Sequence, residues 1–445
     1  MVTSILMSPG AIAGTVIGCV VGALLIGLII ALIVLFTKKP NKNRPAKIDN
    51  PTGFVQAVGS NFYDGNGDIV FFHGINLGNW FIQEPWMAVS AVGNFEQDEN
   101  GKDRPYTQQR GLDAMRANPN LNEDQIRELR ELYMEKYIQE EDFKQIADLG
   151  MNIVRLPFSY RNFEGMDGFK YLDWALDMCE KYKLYAVVDF HGAYGSQNMD
   201  DHSGDDVTWD LYGNPENEAK TVALWEKIAE RYKDRKIIMG YDLLNETRKA
   251  PHKFAGKLTF DFYDRLYKAI RAIDKNHMII VEYFTFPIHG ARLSNYNWEN
   301  VSVQYHFYNL TPLPQKFVMN LMRAMHNWMQ PKRCAVLTGE FCICTGDKEW
   351  NIMLDWLQKT GWSYCSWTYK TNAFMYKTRD NFKEYWGIIE LNEPPVDLHT
   401  ATYEEIKAKY EGVGSENAVR PSKLYNMYIA RVEKDKLYGG PAKID

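Results

Sequence analysis

Short apolar runs rich in β-branched and aromatic residues recur along most of the chain, and longer amphipathic stretches separate them. Eight of these runs have the length and composition of buried β-strands. They cover residues 69–75, 152–158, 184–191, 237–246, 278–284, 301–308, 334–341 and 362–367. Runs of this kind indicate a parallel sheet that is covered on both faces.

Between most of these runs, apolar residues return every three or four positions, which is the period of a helix with one buried face. Leu172, Ala175, Leu176 and Cys179 form one such face. Two others comprise Val222, Trp225, Ile228, Ala229 and Tyr232, and Tyr263, Leu266, Tyr267, Ile270 and Ile273. Repeated strand–helix units predict an α/β fold of the (β/α)8 TIM-barrel type. An open, doubly wound sheet is disfavoured, because no Gly-x-Gly-x-x-Gly sequence follows an early strand.

The N-terminal part of the chain has a different character. Residues 11–36 are uncharged and apolar, long enough to cross a hydrocarbon core of about 30 Å as a helix. No Lys or Arg precedes them, so a retained transmembrane helix fits better than a cleaved signal peptide. The predicted organisation is a short tail (1–10), a transmembrane anchor (11–36), a basic linker (37–52), a barrel (53–435) with an insertion (94–139) after the first strand, and a C-terminal tail (436–445).

The predicted anchor suggests two partners, the lipid bilayer and a second copy of the chain. Gly14, Gly18 and Gly22 form a stripe of small residues, which predicts a homodimer through close helix packing. The basic residues that follow the anchor, a flank that favours the cytoplasmic side, are Lys38, Lys39, Lys42, Arg44 and Lys47.

Charge and cysteine content exclude two classes of function. Residues 50–445 contain 46 basic and 56 acidic residues, a net charge of −10, so nucleic acid is not an expected partner. The cysteines outside the anchor show no Cys-x-x-Cys or Cys/His spacing typical of a metal site, and no metal is expected.

In a barrel of this type, the C-terminal ends of the strands meet at one mouth, where active sites form. We therefore expect the polar and aromatic residues that end the predicted strands to lie close together. They are Arg155, His191, Asn245, Glu246, His306, Tyr308, Glu340 and Trp367.

Two carboxylates on facing strands suit the hydrolysis of a glycosidic bond, which needs a proton donor and an ionised partner in different environments. We expect Glu246 to be the donor, with a raised pKa, and the Asn245 amide to hold a sugar hydroxyl. Tyr308 and Arg155 would keep Glu340 ionised. A better sequence match to the same strand ending, Leu391-Asn392-Glu393-Pro394, is excluded because too few residues follow Glu393 for the remaining strand–helix units.

These motifs resemble glycoside hydrolase family 5. Leu243-Leu244-Asn245-Glu246 is similar to its acid/base motif and Thr338-Gly339-Glu340-Phe341 to its nucleophile motif. The resemblance covers roughly residues 55–430. It implies a retaining mechanism, with Glu246 and Glu340 as catalytic residues and no cofactor. It also implies that the remaining active-site positions of the family are occupied by Arg155, His191, Asn245, His306, Tyr308 and Trp367.

Two further stretches resemble the exo-β-1,3-glucanases of that family, namely residues 74–80 with Glu84-Pro85-Trp86, and residues 191–198. They make Glu84 an expected sugar-binding residue and Trp86 a sugar platform beside Tyr308 and Trp367. Thr247 and Cys342 depart from the family pattern, which leaves the substrate subclass open.

We therefore expect a membrane-anchored retaining β-glycosidase that cleaves β-glucan in the manner of an exo-β-1,3-glucanase. The alternatives are an endo-β-1,4-glucanase, a glycolipid glycosidase, or an inactive carbohydrate-binding surface protein. A polysaccharide hydrolase would place its barrel on the extracellular or lumenal side, whereas the basic flank favours the cytoplasmic side.

Overall fold

A computed structural model describes residues 46–92, 106–250, 253–254, 256–283, 290–308, 314–330, 334–343, 346–376, 386–418 and 422–432. Eight parallel strands form a closed barrel in which each strand pairs with its neighbours in chain order and the last pairs with the first. They are β1 (His73–Asn76), β2 (Ile153–Ser159), β3 (Tyr185–Gly192), β4 (Ile238–Asp242), β5 (Met278–Glu282), β6 (Val301–Tyr308), β7 (Val336–Cys342) and β8 (Ser363–Ser366). The predicted (β/α)8 barrel is confirmed.

The start of the barrel differs from the prediction. The apolar run 69–75 belongs to two sheets, because Ile69–Val70 completes a three-stranded antiparallel sheet with Gln56–Val58 and Asn61–Tyr63, and β1 begins only at His73. The apolar residues 69–72 lead directly into β1, so the sequence pattern did not reveal this change of partner. Three further strand pairs lie outside the barrel: Arg248–Ala250 with Lys253–Phe254, Lys370–Asn372 with Ile389–Leu391, and Ser90–Ala91 with Val396–Asp397.

Helices surround the barrel, and the predicted apolar face of Leu172, Ala175, Leu176 and Cys179 is buried. Between β5 and β6, described residues 290–300 contain a 3-10 turn at Leu293–Asn295 rather than an α-helix. The α-helices are α1 (Gln108–Ala117), α2 (Glu123–Tyr137), α3 (Glu140–Asp148), α4 (Gly168–Tyr182), α5 (Pro215–Tyr232), α6 (Lys257–Ile273), α7 (Gln315–Met329), α8 (Asp347–Thr360), α9 (Ala373–Tyr376), α10 (Tyr403–Glu411) and α11 (Lys423–Val432).

The segment between β1 and β2 contains α1, α2 and α3. Helix α2 begins with a reciprocal capping box, in which Asn122 and Gln125 satisfy each other's backbone N–H groups. The Tyr133 ring of α2 packs edge-on against Tyr410 of α10, with the ring centroids 5.2 Å apart. The helices after β1 therefore pack against the end of the chain that follows β8.

A buried lysine reinforces this contact. The Lys370 side chain is fully buried, lies 4.8 Å from the Tyr137 ring centroid, and donates to the Tyr137 carbonyl and, at 3.3 Å, to the Val413 carbonyl. The Asp142 carboxylate lies 3.9 Å from the Lys370 ammonium, and Tyr369 donates to that carboxylate at 2.8 Å. One charge cluster thus joins α2, α3 and the segment after α10.

The predicted N-terminal anchor lies outside the described residues, as does its Gly14, Gly18 and Gly22 face. Both stay predictions. The linker's last residues, 46–52, run beside the small antiparallel sheet, where the Ile48 N–H donates to the Gly67 carbonyl at 2.9 Å. Within the part of the chain that the structure describes, no helix has both the length and the apolar character to span a bilayer.

Replacing Lys370 with methionine removes the cation of this buried cluster and leaves Asp142 without it. We expect the free energy of unfolding of Lys370→Met to fall by about 3 kcal/mol, because a buried charge that loses its partner is costly. Urea unfolding followed by circular dichroism measures this change. The exposed Lys227→Met is the control, and equal stability of the two variants would contradict the structural role of the cluster.

Candidate active site

The predicted site residues converge at the C-terminal mouth of the barrel. Arg155 lies in β2, His191 in β3, His306 and Tyr308 in β6, and Glu340 in β7. Asn245 and Glu246 follow β4, and Trp367 directly follows β8. Glu84 lies in the loop after β1, close enough to Glu340 for the Glu340 charge to influence its pKa. The structure therefore brings all nine residues into one site.

Arg155 is the centre of this site and is fully buried. Its guanidinium reaches 2.9 Å from Asp242, 2.7 Å from Glu340, 2.8 Å from Asn245, 3.0 Å from Asp189 and 3.0 Å from Asn76. Burial disfavours the charged guanidinium, but the surrounding carboxylates raise the pKa of Arg155 well above its usual value. Arg155 therefore stays charged and fixes the oxygens around it.

Two irregularities in the strand pairing aim side chains into the mouth. The register between β6 and β7 shifts after Tyr305, so that His306 pairs with Glu340 and Gly339 is left over. A Cβ atom on Gly339 would lie 2.2 Å from the Gln304 side chain, which explains why glycine occupies this position. A second shift, between β2 and β3, occurs at His191.

Glu340 is held from two sides by donors. Arg155 donates to Oε1 at 2.7 Å, and the Tyr308 hydroxyl donates to Oε2 at 2.6 Å. Burial tends to raise the pKa of Glu340, but the charges of His306 and Arg155 outweigh it and lower that pKa. The ionised state expected for Glu340 therefore agrees with its surroundings.

Glu246 lies in a strained backbone position just after β4, at a φ of +43°. Two contacts hold this conformation: its N–H donates to Glu282 Oε2 at 2.8 Å, and its carbonyl accepts from Asn198 Nδ2 at 3.2 Å. The Glu246 carboxylate lies 2.7 Å from His306 Nδ1 and 3.1 Å from His202 Nε2.

The expected raised pKa of Glu246 is wrong. Burial does raise the pKa, as the prediction assumed. The charges and hydrogen bonds of His202 and His306 outweigh burial and bring the pKa of Glu246 well below its usual value. The side chains that lower it come from other loops and strands, so the local motif did not reveal them.

His191 and Asn245 orient each other. Burial lowers the pKa of His191 well below its usual value, so the ring is neutral. Nδ1 lies 2.7 Å from the Asp189 carboxylate and Nε2 lies 3.2 Å from Asn245 Nδ2. The ring therefore donates from Nδ1 and accepts at Nε2. Asn245 uses its oxygen for Arg155 and one N–H for His191, which leaves its second N–H for a ligand hydroxyl.

Aromatic rings form one wall of the site. Trp86 packs against Trp386 with centroids 4.6 Å apart, and Trp386 stacks on Tyr308 at 5.9 Å. Trp86 Nε1 also donates to Glu84 at 2.6 Å. Trp367, by contrast, is only 2% exposed and stacks on His191 at 5.6 Å, so little of its ring faces open space.

Sequence reasoning missed several residues of the site. Glu282 is the last residue of β5, so the rule that identified the other strand-end residues would also have identified Glu282. Trp386 and His202 lie in loops, where the strand pattern gives no signal. Asp189 and Asp242 are strand residues that bind Arg155, and burial raises the pKa of each to about 7 although Arg155 opposes this.

Glu246, His306 and Glu340 have ligand atoms within 4.8 Å of one another, the spacing that a shared ion needs. These groups already have protein partners. Glu246 and His306 contact each other, and Glu340 accepts hydrogen bonds from Arg155 and Tyr308. The geometry therefore explains the cluster without an ion. The same distance shows that one oxygen of Glu246 lies within 4.8 Å of one oxygen of Glu340.

Glu393, the second match to the Asn-Glu ending, lies away from this site. It follows the short strand Ile389–Leu391, outside the barrel, and forms an ion pair of 2.8 Å with Lys409. Its exclusion as a barrel residue is confirmed.

Comparisons with known proteins agree with this fold and site. The family model described as cellulase (glycosyl hydrolase family 5) matches residues 111–373. A β-xylosidase of Phanerodontia chrysosporium is 27% identical over 65% of this chain and 61% of its own length. A glucan 1,3-beta-glucosidase of Wickerhamomyces anomalus is 29% identical over 53% of this chain and 56% of its own length.

The chain thus spans about three fifths of the length of these relatives. Among solved structures, a rutinosidase from Aspergillus niger has a TM-score of 0.58 at 13% identity. Its match covers 77% of this chain and 98% of that protein. At this identity, the likeness extends to the barrel fold.

Glu84 gives this site a pH-dependent stability that can be measured. Burial raises the pKa of Glu84 from 4.5 to about 8, against the lowering effect of His202. Between these two values the folded chain holds a proton that the unfolded chain has released, so this contribution to stability falls as the pH rises. We expect Glu84→Gln to gain stability relative to the original chain between pH 5 and 8, by at most about 1.4 kcal/mol per pH unit.

Thermal unfolding across this pH range measures the difference. The exposed Glu226→Gln is the control for the loss of a glutamate, and its stability should follow the original chain at every pH. A Glu84→Gln curve that stays parallel to the original one would contradict the raised pKa.

Proposed function

Because this chain belongs to glycosyl hydrolase family 5, we propose that it hydrolyses β-glycosidic bonds with retention of configuration, using Glu246 as acid/base and Glu340 as nucleophile. The observation that carries this proposal is the approach of the two carboxylates to within 4.8 Å. Retaining enzymes separate their carboxyl groups by about 5–5.5 Å, whereas inverting enzymes leave about 6.5–9.5 Å for a water molecule.

The surroundings of Glu340 support its role as nucleophile. Attack on the anomeric carbon requires an ionised carboxylate, and Arg155 and Tyr308 stabilise that state. As the covalent bond to the sugar forms, the Glu340 carboxylate becomes a neutral ester. Tyr308 and Arg155 would hold the Glu340 side chain in place both as the free carboxylate and as the ester.

The surroundings of Glu246 support its role as acid and base. The carboxylate follows β4 and has a histidine on each oxygen, His306 at 2.7 Å and His202 at 3.1 Å. It would donate a proton to the leaving oxygen in the first step and take one from water in the second. Asn245 and His191 would bind sugar hydroxyls beside it.

For the substrate, we propose a β-1,3-glucan cleaved from a chain end. The stretches 74–80 and 191–198 that suggest this subclass contain the C-terminal ends of β1 and β3, and several relatives are glucan 1,3-beta-glucosidases. Trp86, Trp386 and Glu84 form a wall that would hold a terminal glucose by its ring face and hydroxyls.

The test combines a substrate panel with two variants. We expect the purified chain to release glucose from laminarin, and Glu340→Ala to lose turnover because no nucleophile remains. Azide should partly restore this variant and give the glycosyl azide of inverted configuration. Glu393→Ala is the matched control and should keep full activity, since Glu393 lies outside the barrel.

The other outcomes each contradict part of the proposal. Mixed oligomers from laminarin, or cleavage of carboxymethylcellulose, would indicate an endo-glucanase. Preference for an aryl β-xyloside or for a glycosphingolipid would change the substrate class. Normal activity of Glu340→Ala would overturn the mechanism, and sugar binding without hydrolysis would indicate a binding protein.

We also propose that residues 11–36 anchor the barrel to a membrane, on its extracellular or lumenal side. The uncharged apolar run supports the anchor, and a polysaccharide substrate supports this side against the basic flank. The full chain should remain in the membrane fraction after a carbonate wash, and deletion of 11–36 should release active enzyme. Protease added to intact cells should cleave the barrel; protection of the barrel would place it inside.

A further inference from the structure

His202 lies beside the proposed acid/base, in the short turn Asp201–Ser203 that follows β3. Its side chain is 20% exposed, and its Nε2 atom lies 3.1 Å from Glu246 Oε2. The other oxygen of Glu246 lies 2.7 Å from His306 Nδ1. Each oxygen of the Glu246 carboxylate therefore has its own histidine partner.

One proton must lie between His202 Nε2 and Glu246 Oε2 at this distance, since two lone pairs facing each other would repel. The proton belongs either to the imidazolium, with Glu246 ionised, or to the Glu246 carboxyl, with His202 neutral. Asn198 Nδ2 lies 3.3 Å from the same Nε2 atom and donates to the Glu246 backbone carbonyl at 3.2 Å.

Titratable groups from four parts of the site face His202. Asp201 at 3.9 Å lies in its own turn, and Asp200 at 4.0 Å directly precedes that turn and is itself paired with Arg248 at 2.6 Å. His191 of β3 faces it with the ring centroids 6.1 Å apart. Glu84 from the loop after β1 and Glu246 from the loop after β4 also face it. Burial opposes the imidazolium, but the carboxylates around it raise the pKa of His202 well above its usual value.

We propose that His202 holds the catalytic proton for Glu246, placing it on Oε2 when substrate fills the site. This inference rests on the proposed function. In the free enzyme the proton is on Nε2, and Glu246 is a carboxylate. Bound sugar removes water from the ion pair, and the proton crosses from Nε2 to Oε2 to give two neutral groups.

The proton is then conserved through the cycle. Glu246 gives it to the glycosidic oxygen as the bond between that oxygen and the anomeric carbon breaks and the Glu340 oxygen bonds to the carbon. In the second step Glu246 takes a proton from water, whose oxygen displaces Glu340. When the sugar leaves, this proton returns from Oε2 to Nε2. His202 acts through Glu246 and is a positioning residue for the proton.

His202→Gln tests this proposal, because glutamine keeps a polar side chain without a titrating group. Phenyl β-glucoside needs a proton on its leaving oxygen, whereas 2,4-dinitrophenyl β-glucoside departs without one. At pH 7 we expect kcat/KM of His202→Gln to fall about 100-fold on the phenyl substrate and to stay within about threefold on the dinitrophenyl substrate. The alkaline limb of its phenyl pH profile should move at least one unit lower.

Equal losses on both substrates, or an unmoved alkaline limb, would overturn the proposal and leave His202 with a structural role. His399→Gln, a histidine substitution outside the site, is the control and should keep the original profile. His202→Asn is the second variant, and unfolding of both variants would also overturn the proposal. Labelling of Glu340 by 2-deoxy-2-fluoroglucosyl fluoride tests the proposed function separately, because it requires the nucleophile and a fluoride leaving group that needs little acid assistance.

Discussion

Arg155 carries a positive charge at the centre of the barrel, away from water, and three carboxylates and two amides of the surrounding strands and loops contact it. A buried guanidinium is tolerated only where its donors are satisfied, so these oxygens must stay in place around it. Because Glu340 and Asn245 are among them, the condition that keeps the cation stable also fixes one proposed catalytic oxygen and one proposed sugar contact. The contacts of buried Arg155 thus determine how the side chains at the mouth of the barrel are arranged.

Around Arg155, acidic side chains outnumber the cations. One guanidinium cannot neutralise Asp189, Asp242, Glu340 and the nearby Glu282, and burial raises the pKa of Glu282 well above its usual value. Protons therefore belong to the site as structural components. The carboxylates fall into two groups: Glu246 and Glu340 have lowered pKa values, while burial raises those of Glu282 and Glu84. Similar side chains acquire different chemistry from their partners.

Sequence patterns predicted the barrel because strand periodicity is a local property, and they located Arg155, Glu246 and Glu340 because strand ends meet at one mouth. The sequence patterns did not predict contacts between residues that are far apart in the sequence. The run 69–75 gave no sign that Ile69–Val70 and β1 belong to different sheets, and the motif around Glu246 could not show His202 approaching from the loop after β3. The direction of a pKa shift depends on such distant neighbours, so it was predicted for Glu340 and missed for Glu246.

The pairing of β8 with β1 sets the order in which this chain can fold as it is synthesised. The first barrel strand leaves the ribosome early, and its outer edge has no partner until the last strand has been made. Until then the growing sheet has two open edges, which are the surfaces most prone to pair with other chains. The same delay applies to Asp142, which is made long before Lys370. Closure of the barrel and burial of this charge pair therefore both wait until β8 and the residues directly after it have been made.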